Sequence, residues 1–232
     1  GWRSAFMMMG LGAIILLLVA AWAVGAPSAT TSSDPTETVS GYSFAEARRT
    51  RIFWMFCAIQ FLFLPSLATI PLHIVVHGMD LGMTATVAAA LVSTMALASV
   101  LARLAVGSFF DRVGGKGALI LCLVPLLASL LALLVVNTPK SLFAVIVVYG
   151  FAHGGLFTVM SPVVAEYFGL KAHGTLFGSI IFFGAISGSV APVLAGYIFD
   201  TTGSYSMAFN FLIAMASSGL ILTLVLPKRR AR

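Results

Sequence analysis

The sequence predicts an all-α polytopic membrane protein with seven transmembrane helices. Hydrophobic residues make up 60% of its 232 residues and charged residues only 9%, whereas soluble domains average about 45–50% and about 25%. This number of charged residues is too small to cover the surface of a soluble fold of this size. Most of the surface must therefore face lipid.

Seven apolar runs are long enough to cross the hydrocarbon core of a bilayer, which takes about 20 helical residues. They are continuous and lack a period of two, which favours helices over the strands of a membrane barrel. Most connections between them are short, including a predicted loop at 111–116. The runs are 4–25, 52–76, 86–110, 117–136, 142–168, 175–199 and 207–226.

A polar stretch at 26–50 separates the first run from the other six. Its serines, threonines and prolines leave too few apolar side chains to pack, so we expect one helix (1–25), a linker (26–50) and a six-helix bundle (51–232). Ser43 and Glu46 have the spacing of a capping box, which predicts a short helix before the second span. An unstructured connector fits the first half of the linker equally well.

The basic residues predict the orientation, because loops rich in Lys and Arg stay in the cytoplasm. If the linker is cytoplasmic, ten of the 13 basic residues share its side, Arg3 and Lys140 lie opposite, and Arg103 lies inside a span. The linker and the C-terminus should therefore face the cytoplasm. The basic residues do not cluster with exposed aromatic residues, so the net charge of +6 does not indicate nucleic-acid binding. The ten are Arg48, Arg49, Arg51, Arg112, Lys116, Lys171, Lys228, Arg229, Arg230 and Arg232.

Arg103 is the first candidate for a functional residue, because a charge within a span usually faces a cavity or a partner. Helical spacing places small residues, among them Ser99 and Gly107, on its side of the helix, and no span carries an acidic residue at a similar depth. An unpaired guanidinium can bind a carboxylate through two parallel hydrogen bonds. The alternative is that the side chain extends to the cytoplasmic interface.

The run from Gly107 to Lys116, GSFFDRVGGK, resembles the cytoplasmic-loop motif of the major facilitator superfamily. The long linker after one helix is similar to the connection that follows helix six in that family. Glycines and a proline recur every fourth residue in the sixth run and should form a smooth packing face; they are Gly184, Gly188, Pro192 and Gly196. The resemblance implies helices six to twelve of a twelve-helix transporter, with the last six forming an inverted three-plus-three repeat.

Within that superfamily, the run from Arg103 to Gly107, RLAVG, resembles monocarboxylate porters and oxalate/formate antiporters. The resemblance implies that Arg103 holds a substrate carboxylate, with Ser99 one turn away where animal porters place an aspartate. Gly184 lies near the position of a lysine that oxalate exchangers use for a second carboxylate, so a monoanion is favoured. The implied protein is a symporter or antiporter of the plasma (inner) membrane, whose partners are a small organic anion, a coupling proton, the bilayer and an N-terminal half.

The resemblance also implies a cytoplasmic gate, in which charges at helix ends form a latch. We assign Gly107, Asp111, Arg112, Lys116 and Glu166 to it.

Four further polar residues lie within spans. His153 could carry a proton or bind the substrate, or it could be a neutral histidine bonded to a carbonyl group of another helix. Gln60, Ser66 and Thr69 are expected to form hydrogen bonds between helices.

Other function classes fit poorly. A membrane-embedded hydrolase would need Ser187 or Ser189 to act with His153, and no Gly-x-Ser-x-Gly run supports this. A retinal-type receptor would need a lysine within the last span, which has none. We therefore expect a transporter rather than an enzyme, with no cofactor and no metal. The remaining alternative is a superfamily transporter of another small solute, in which Arg103 is structural.

Overall fold

The structure, a computed structural model, describes residues 1–23 and 40–227 and divides into two compact units, 1–39 and 40–232. The described part of the first unit is one helix, α1 (Trp2–Ala23). The first half of the predicted linker (26–39) and the basic residues Lys228, Arg229, Arg230 and Arg232 lie outside the described residues. The second unit contains α2 (Phe44–Ala47), α3 (Arg51–Asp80), α4 (Ala85–Leu133), α5 (Pro139–Phe168), α6 (His173–Thr202) and α7 (Ser206–Val225).

The all-helical prediction is confirmed, and six helices in the described residues are long and apolar enough to cross a membrane. The longest, α4, has 49 residues and would extend about 73 Å if straight, more than twice the thickness of a hydrocarbon core. It is broken at Gly114, whose φ of 69° and ψ of 169° are not helical. The two arms, 85–113 and 115–133, therefore correspond to the third and fourth predicted spans.

The predicted loop at 111–116 is wrong in extent, because Gly114 alone leaves helical geometry there. A positive φ is accessible to glycine without strain, so one residue can turn the chain. A methyl group at Gly155 would lie 2.5 Å from Sγ of Cys122 and 3.3 Å from Cγ2 of Val106. Val106 precedes and Cys122 follows Gly114 by eight residues, so the two arms fold back side by side.

The six-span bundle pairs its helices as an inverted repeat requires. One group of three spans is α3 with the two arms of α4, and the other is α5, α6 and α7. The first helix of each group lies against the middle helix of the other, since α3 packs on α6 and α5 packs on the first arm of α4. Close approach of α5 to α4 depends on Gly150 and Gly154, whose backbones lie against the backbones of Met95 and Ser99.

The four-residue repeat of α6 lies on the face that contacts α3. A methyl group at Gly184 or at Gly188 would meet the side chain of Leu64, 3.0 and 3.2 Å away. The carbonyl oxygen of Pro192 accepts a hydrogen bond from Nε2 of His73 (3.0 Å), and a methyl group at Gly196 would lie 3.6 Å from the same ring.

Residues 40–50 contact the six-span bundle at the end of α5. The backbone N–H of Tyr42 donates to the carbonyl oxygen of Phe168 (2.8 Å). The backbone N–H of Leu170 donates to the carbonyl oxygen of Ser40 (3.2 Å). The predicted capping box is confirmed: the N–H of Ser43 donates to Oε2 of Glu46 (2.7 Å), and the N–H of Glu46 donates back to Oγ of Ser43 (3.3 Å). The two hydrogen bonds that Ser43 donates to the carboxylate, from its backbone N–H and from its hydroxyl group, lower the pKa of the exposed Glu46 carboxyl group.

Candidate functional site

Arg103 lies on the first arm of α4, eleven residues before the break at Gly114 and therefore about 16 Å from it along the helix. Its side chain is exposed on the surface of the bundle. The guanidinium carbon lies 6.0 Å from the ring centroid of Phe157 on α5, a distance at which a cation is attracted to an aromatic face. Arg103 and Phe157 each follow the first residue of their helix by 18 positions. The side chain therefore reaches across to a neighbour at its own depth.

Ser99 and His153 form a second contact in the same register. Oγ of Ser99 lies 3.3 Å from Nδ1 of His153, and both this pair and Arg103–Phe157 are separated by 54 residues. The His153 and Phe157 ring centroids are 5.0 Å apart. The partner of His153 is thus a hydroxyl group rather than the carbonyl group considered above. The structure brings Arg103, Ser99 and His153 together along one strip between α4 and α5, with Phe157 joining them.

The predicted small-residue face of α4 divides in two. Ser99 and Val106 are buried against α5, whereas Ala96 and Gly107 are exposed on either side of Arg103. A methyl group at Gly107 would meet no described atom within 4 Å. Arg103 is therefore flanked along its own helix by small side chains that leave the guanidinium accessible.

No acidic group of the described residues neutralises Arg103. The chain has seven Asp and Glu residues in total, and none lies in the middle of a span. Among the residues that the structure describes, no three His, Cys, Asp or Glu side chains could hold a metal ion together. The guanidinium is thus a fixed positive charge at membrane depth. The acidic residues are Asp34, Glu37, Glu46, Asp80, Asp111, Glu166 and Asp200.

A cavity of about 270 Å³ lies beside this strip, between α3, α5 and α6. Phe157 lines it together with apolar side chains such as Phe63, Leu67 and Met160. Its single polar side chain is that of Gln60, which is 4% exposed. The sequence did not predict the cavity, since three helices distant in the chain form it.

The hydrogen bonds expected between helices from Gln60, Ser66 and Thr69 are not formed. Within the described part of the chain, Oε1 of Gln60, Oγ of Ser66 and Oγ1 of Thr69 are buried without a partner. The bond that does join α3 to α5 here comes from Tyr149, whose hydroxyl group donates to the backbone carbonyl oxygen of Ser66 (2.9 Å).

The residues assigned to the gate lie around the break in α4. The backbone N–H of Gly115 donates to Oε2 of Glu166 at the end of α5 (2.7 Å), a favourable place for an anion because a helix begins there. Nζ of Lys116 donates to the carbonyl oxygens of Leu224 and Leu226, both at 2.6 Å, where α7 ends. These contacts fix α4 to α5 and α7 within the bundle.

The other gate residues make fewer contacts inside the bundle. Asp111 and Arg112 are exposed, and the guanidinium carbon of Arg112 lies 5.8 Å from the ring centroid of Phe109 on its own helix. Lys116 was assigned from its position in the motif, but its bonds to α7 join residues more than 100 positions apart, so sequence spacing could not predict them.

Comparison with known proteins identifies the family. The model of the Major Facilitator Superfamily matches residues 79–232, about two thirds of the chain. The chain belongs to the major facilitator superfamily. It is therefore an integral membrane protein from a family of transporters, as the sequence indicated.

Individual relatives are transporters too. Over 227 residues the chain is 30% identical to monocarboxylate transporter 13 of Bos taurus, covering 96% of this chain and 53% of that protein. It is 33% identical to human monocarboxylate transporter 7, covering 76% and 34%. Identity to the sialic acid transporter NanX of Escherichia coli is 28%, covering 63% and 36%. The chain spans about a third to a half of the length of these relatives.

Proposed function

We propose that this chain forms the C-terminal half of a secondary transporter that carries a small organic monoanion across the plasma (inner) membrane by alternating access. Arg103 receives the carboxylate group, with Ser99 and His153 beside it. In the complete protein, the anion binds between this bundle and an N-terminal half, and a proton is the candidate coupling ion. The linker and the C-terminus face the cytoplasm.

The observation that carries this proposal is the environment of Arg103. Its guanidinium is exposed, lies 6.0 Å from the centroid of an aromatic ring at its own depth, and has no acidic partner in the described residues. A cation held at membrane depth without a counter-ion is unfavourable in a purely structural role, and such residues commonly mark a substrate pathway. The relatives named monocarboxylate transporters support the same anion class.

The preference for a monoanion follows from the surroundings of this single charge. The α6 segment near Gly184, where a second carboxylate would need a cation, contains Phe182, Phe183 and Ala185 and no charged residue. A second carboxylate there would lose hydration without gaining a partner.

The experiment is a competition assay with the complete transporter in proteoliposomes. Uptake of labelled butanoate is competed with unlabelled butanoate, with the uncharged butanamide and with the dianion succinate. We expect butanoate to compete at least about 10-fold better than the other two, since only butanoate offers one carboxylate for a bidentate pair. Equal competition by butanamide would instead support the alternative, a transporter of another solute in which Arg103 is structural.

A further inference from the structure

The cavity beside Phe157 has the character of a ligand site rather than of a packing defect. Its volume of about 270 Å³ is close to the lower end of the range for small-molecule pockets, about 300–1,000 Å³. The lining is apolar except for one amide group, the side chain of Gln60 on α3. A mostly apolar wall with one polar group is the usual composition of a pocket that orients an organic molecule.

The carbonyl oxygen of the Gln60 amide lacks a partner among the described residues. The side chain is 96% buried, and its Oε1 receives no hydrogen bond from any described group. Buried carbonyl oxygens are nearly always satisfied, so an unsatisfied one calls for a donor from elsewhere.

The opposite helix leaves room for this amide. A methyl group at Gly184 on α6 would lie 2.6 Å from Cγ and 3.2 Å from Nε2 of Gln60. Any side chain at position 184 would therefore displace the amide. Glycine at this position keeps the side chain of Gln60 where it lines the cavity.

We propose that the cavity binds the uncharged body of the transported anion and that Oε1 of Gln60 accepts a hydrogen bond from a hydroxyl or N–H group on it. The inference rests on the proposed function, because Phe157 both contacts Arg103 and lines the cavity. An anion whose carboxylate is bound by Arg103 can extend along this ring into the cavity. The substrate class is thus a monocarboxylate with an apolar skeleton that carries one hydrogen-bond donor.

The test compares matched acids in the complete transporter. Competition for butanoate uptake is measured for straight-chain acids from butanoate to octanoate and for their ω-hydroxy derivatives, so that the spacing between carboxylate and hydroxyl is scanned. At one chain length or more, the hydroxy acid should compete about 10-fold better than its parent acid, since a site built around a polar group discriminates against ligands that lack the donor.

Two variants test the role of Gln60 in this preference. Gln60→Met keeps the length of the side chain but removes the acceptor, and it should abolish the preference for the hydroxy acid over its parent acid. Gly184→Ala retains the amide but displaces it, and it should weaken the preference even if Gln60→Met fails to fold. Ser66→Ala and Thr69→Val are matched controls, because the hydroxyl groups of both residues are buried on α3 without a partner among the described residues, and neither residue lines the cavity. Both controls should keep the preference.

The outcomes separate this inference from the proposed function. If the parent acids compete but no chain length shows a preference for the hydroxy acid, or if the preference persists in both variants, the role of Gln60 is wrong and the role of Arg103 stands. If none of the acids competes in the wild-type transporter, both proposals are overturned.

Discussion

The hydroxyl oxygen of Ser99 lies 3.3 Å from Nδ1 of His153, one helical turn from the contact between Arg103 and Phe157. The two contacts share one register because the first arm of α4 and α5 run side by side, with the backbone of Gly154 against that of Ser99. The polar groups of the proposed anion site are therefore placed by a close backbone contact between α4 and α5.

Ser99 and His153 should act as a unit in anion binding. We expect Ser99→Ala and His153→Asn each to weaken binding by about 3- to 10-fold, the usual effect of one hydrogen bond. The double variant should be little weaker than the worse single variant, because either change breaks the same contact. Ser108→Ala is the control, since that hydroxyl group donates to the carbonyl oxygen of Leu104 within α4 itself. Fully additive losses, measured by equilibrium binding to the purified transporter, would contradict the coupling.

Gly154 should be intolerant of any side chain. A methyl group there would overlap the backbone of Ser99, so Gly154→Ala must move α4 away from α5. The variant should lower the free energy of unfolding by about 1–3 kcal/mol or more. Gly178→Ala on α6 is the matched control, because its methyl group would meet no described atom within 4 Å. Thermal unfolding in detergent checks both variants, and equal melting temperatures for the two would show that the contact is not as close as described.

Glu166 should both stabilise the break in α4 and affect the gate. Glu166→Gln retains an acceptor for the N–H of Gly115 but loses the negative charge at the start of a helix. This loss should lower the free energy of unfolding by about 0.3–1 kcal/mol. Glu166→Ala leaves that N–H without its acceptor and should cost about 1–3 kcal/mol. We also expect Glu166→Gln to shift the balance between inward- and outward-facing states, measured by cysteine accessibility in the complete transporter. An unchanged balance would limit Glu166 to a structural role.

The α2 turn should loosen in acid. The bonds from Ser43 lower the pKa of the Glu46 carboxyl group below its unfolded value of about 4.5. The ionised carboxylate therefore stabilises the turn above that unfolded value, and the contribution is lost as the pH falls through the lowered folded pKa. The protection factor of the Ser43 amide, which donates to this carboxylate, is the intrinsic exchange rate at each pH divided by the observed rate, and it should fall as the pH drops through that window. Glu46→Gln should remove the pH dependence, and a persistent dependence in that variant would point to another group.

Local patterns predicted the features that depend on neighbours in the chain. The capping box of Ser43 and Glu46 was predictable because its residues are three positions apart. Arg103 could be selected as a candidate because a charge in the middle of an apolar run is evident without any knowledge of its neighbours in space.

Features that join distant segments could not be predicted in this way. Nothing in the sequence around Gly41 indicates that its backbone pairs with Gly169, and nothing around Gln60 indicates a cavity closed by α5 and α6. The break in α4 could be predicted in part. A glycine-rich turn was expected, but only the three-dimensional packing shows that Gly114 alone makes it.

The most direct test of the account is the affinity of the purified complete transporter for a labelled monocarboxylate before and after Arg103→Lys. Lysine keeps the charge but cannot form two parallel hydrogen bonds to one carboxylate. We predict a loss of at least about 30-fold, equivalent to about 2 kcal/mol, whereas the exposed control Arg49→Lys should bind as the wild type does. Wild-type affinity in Arg103→Lys would contradict the carboxylate site.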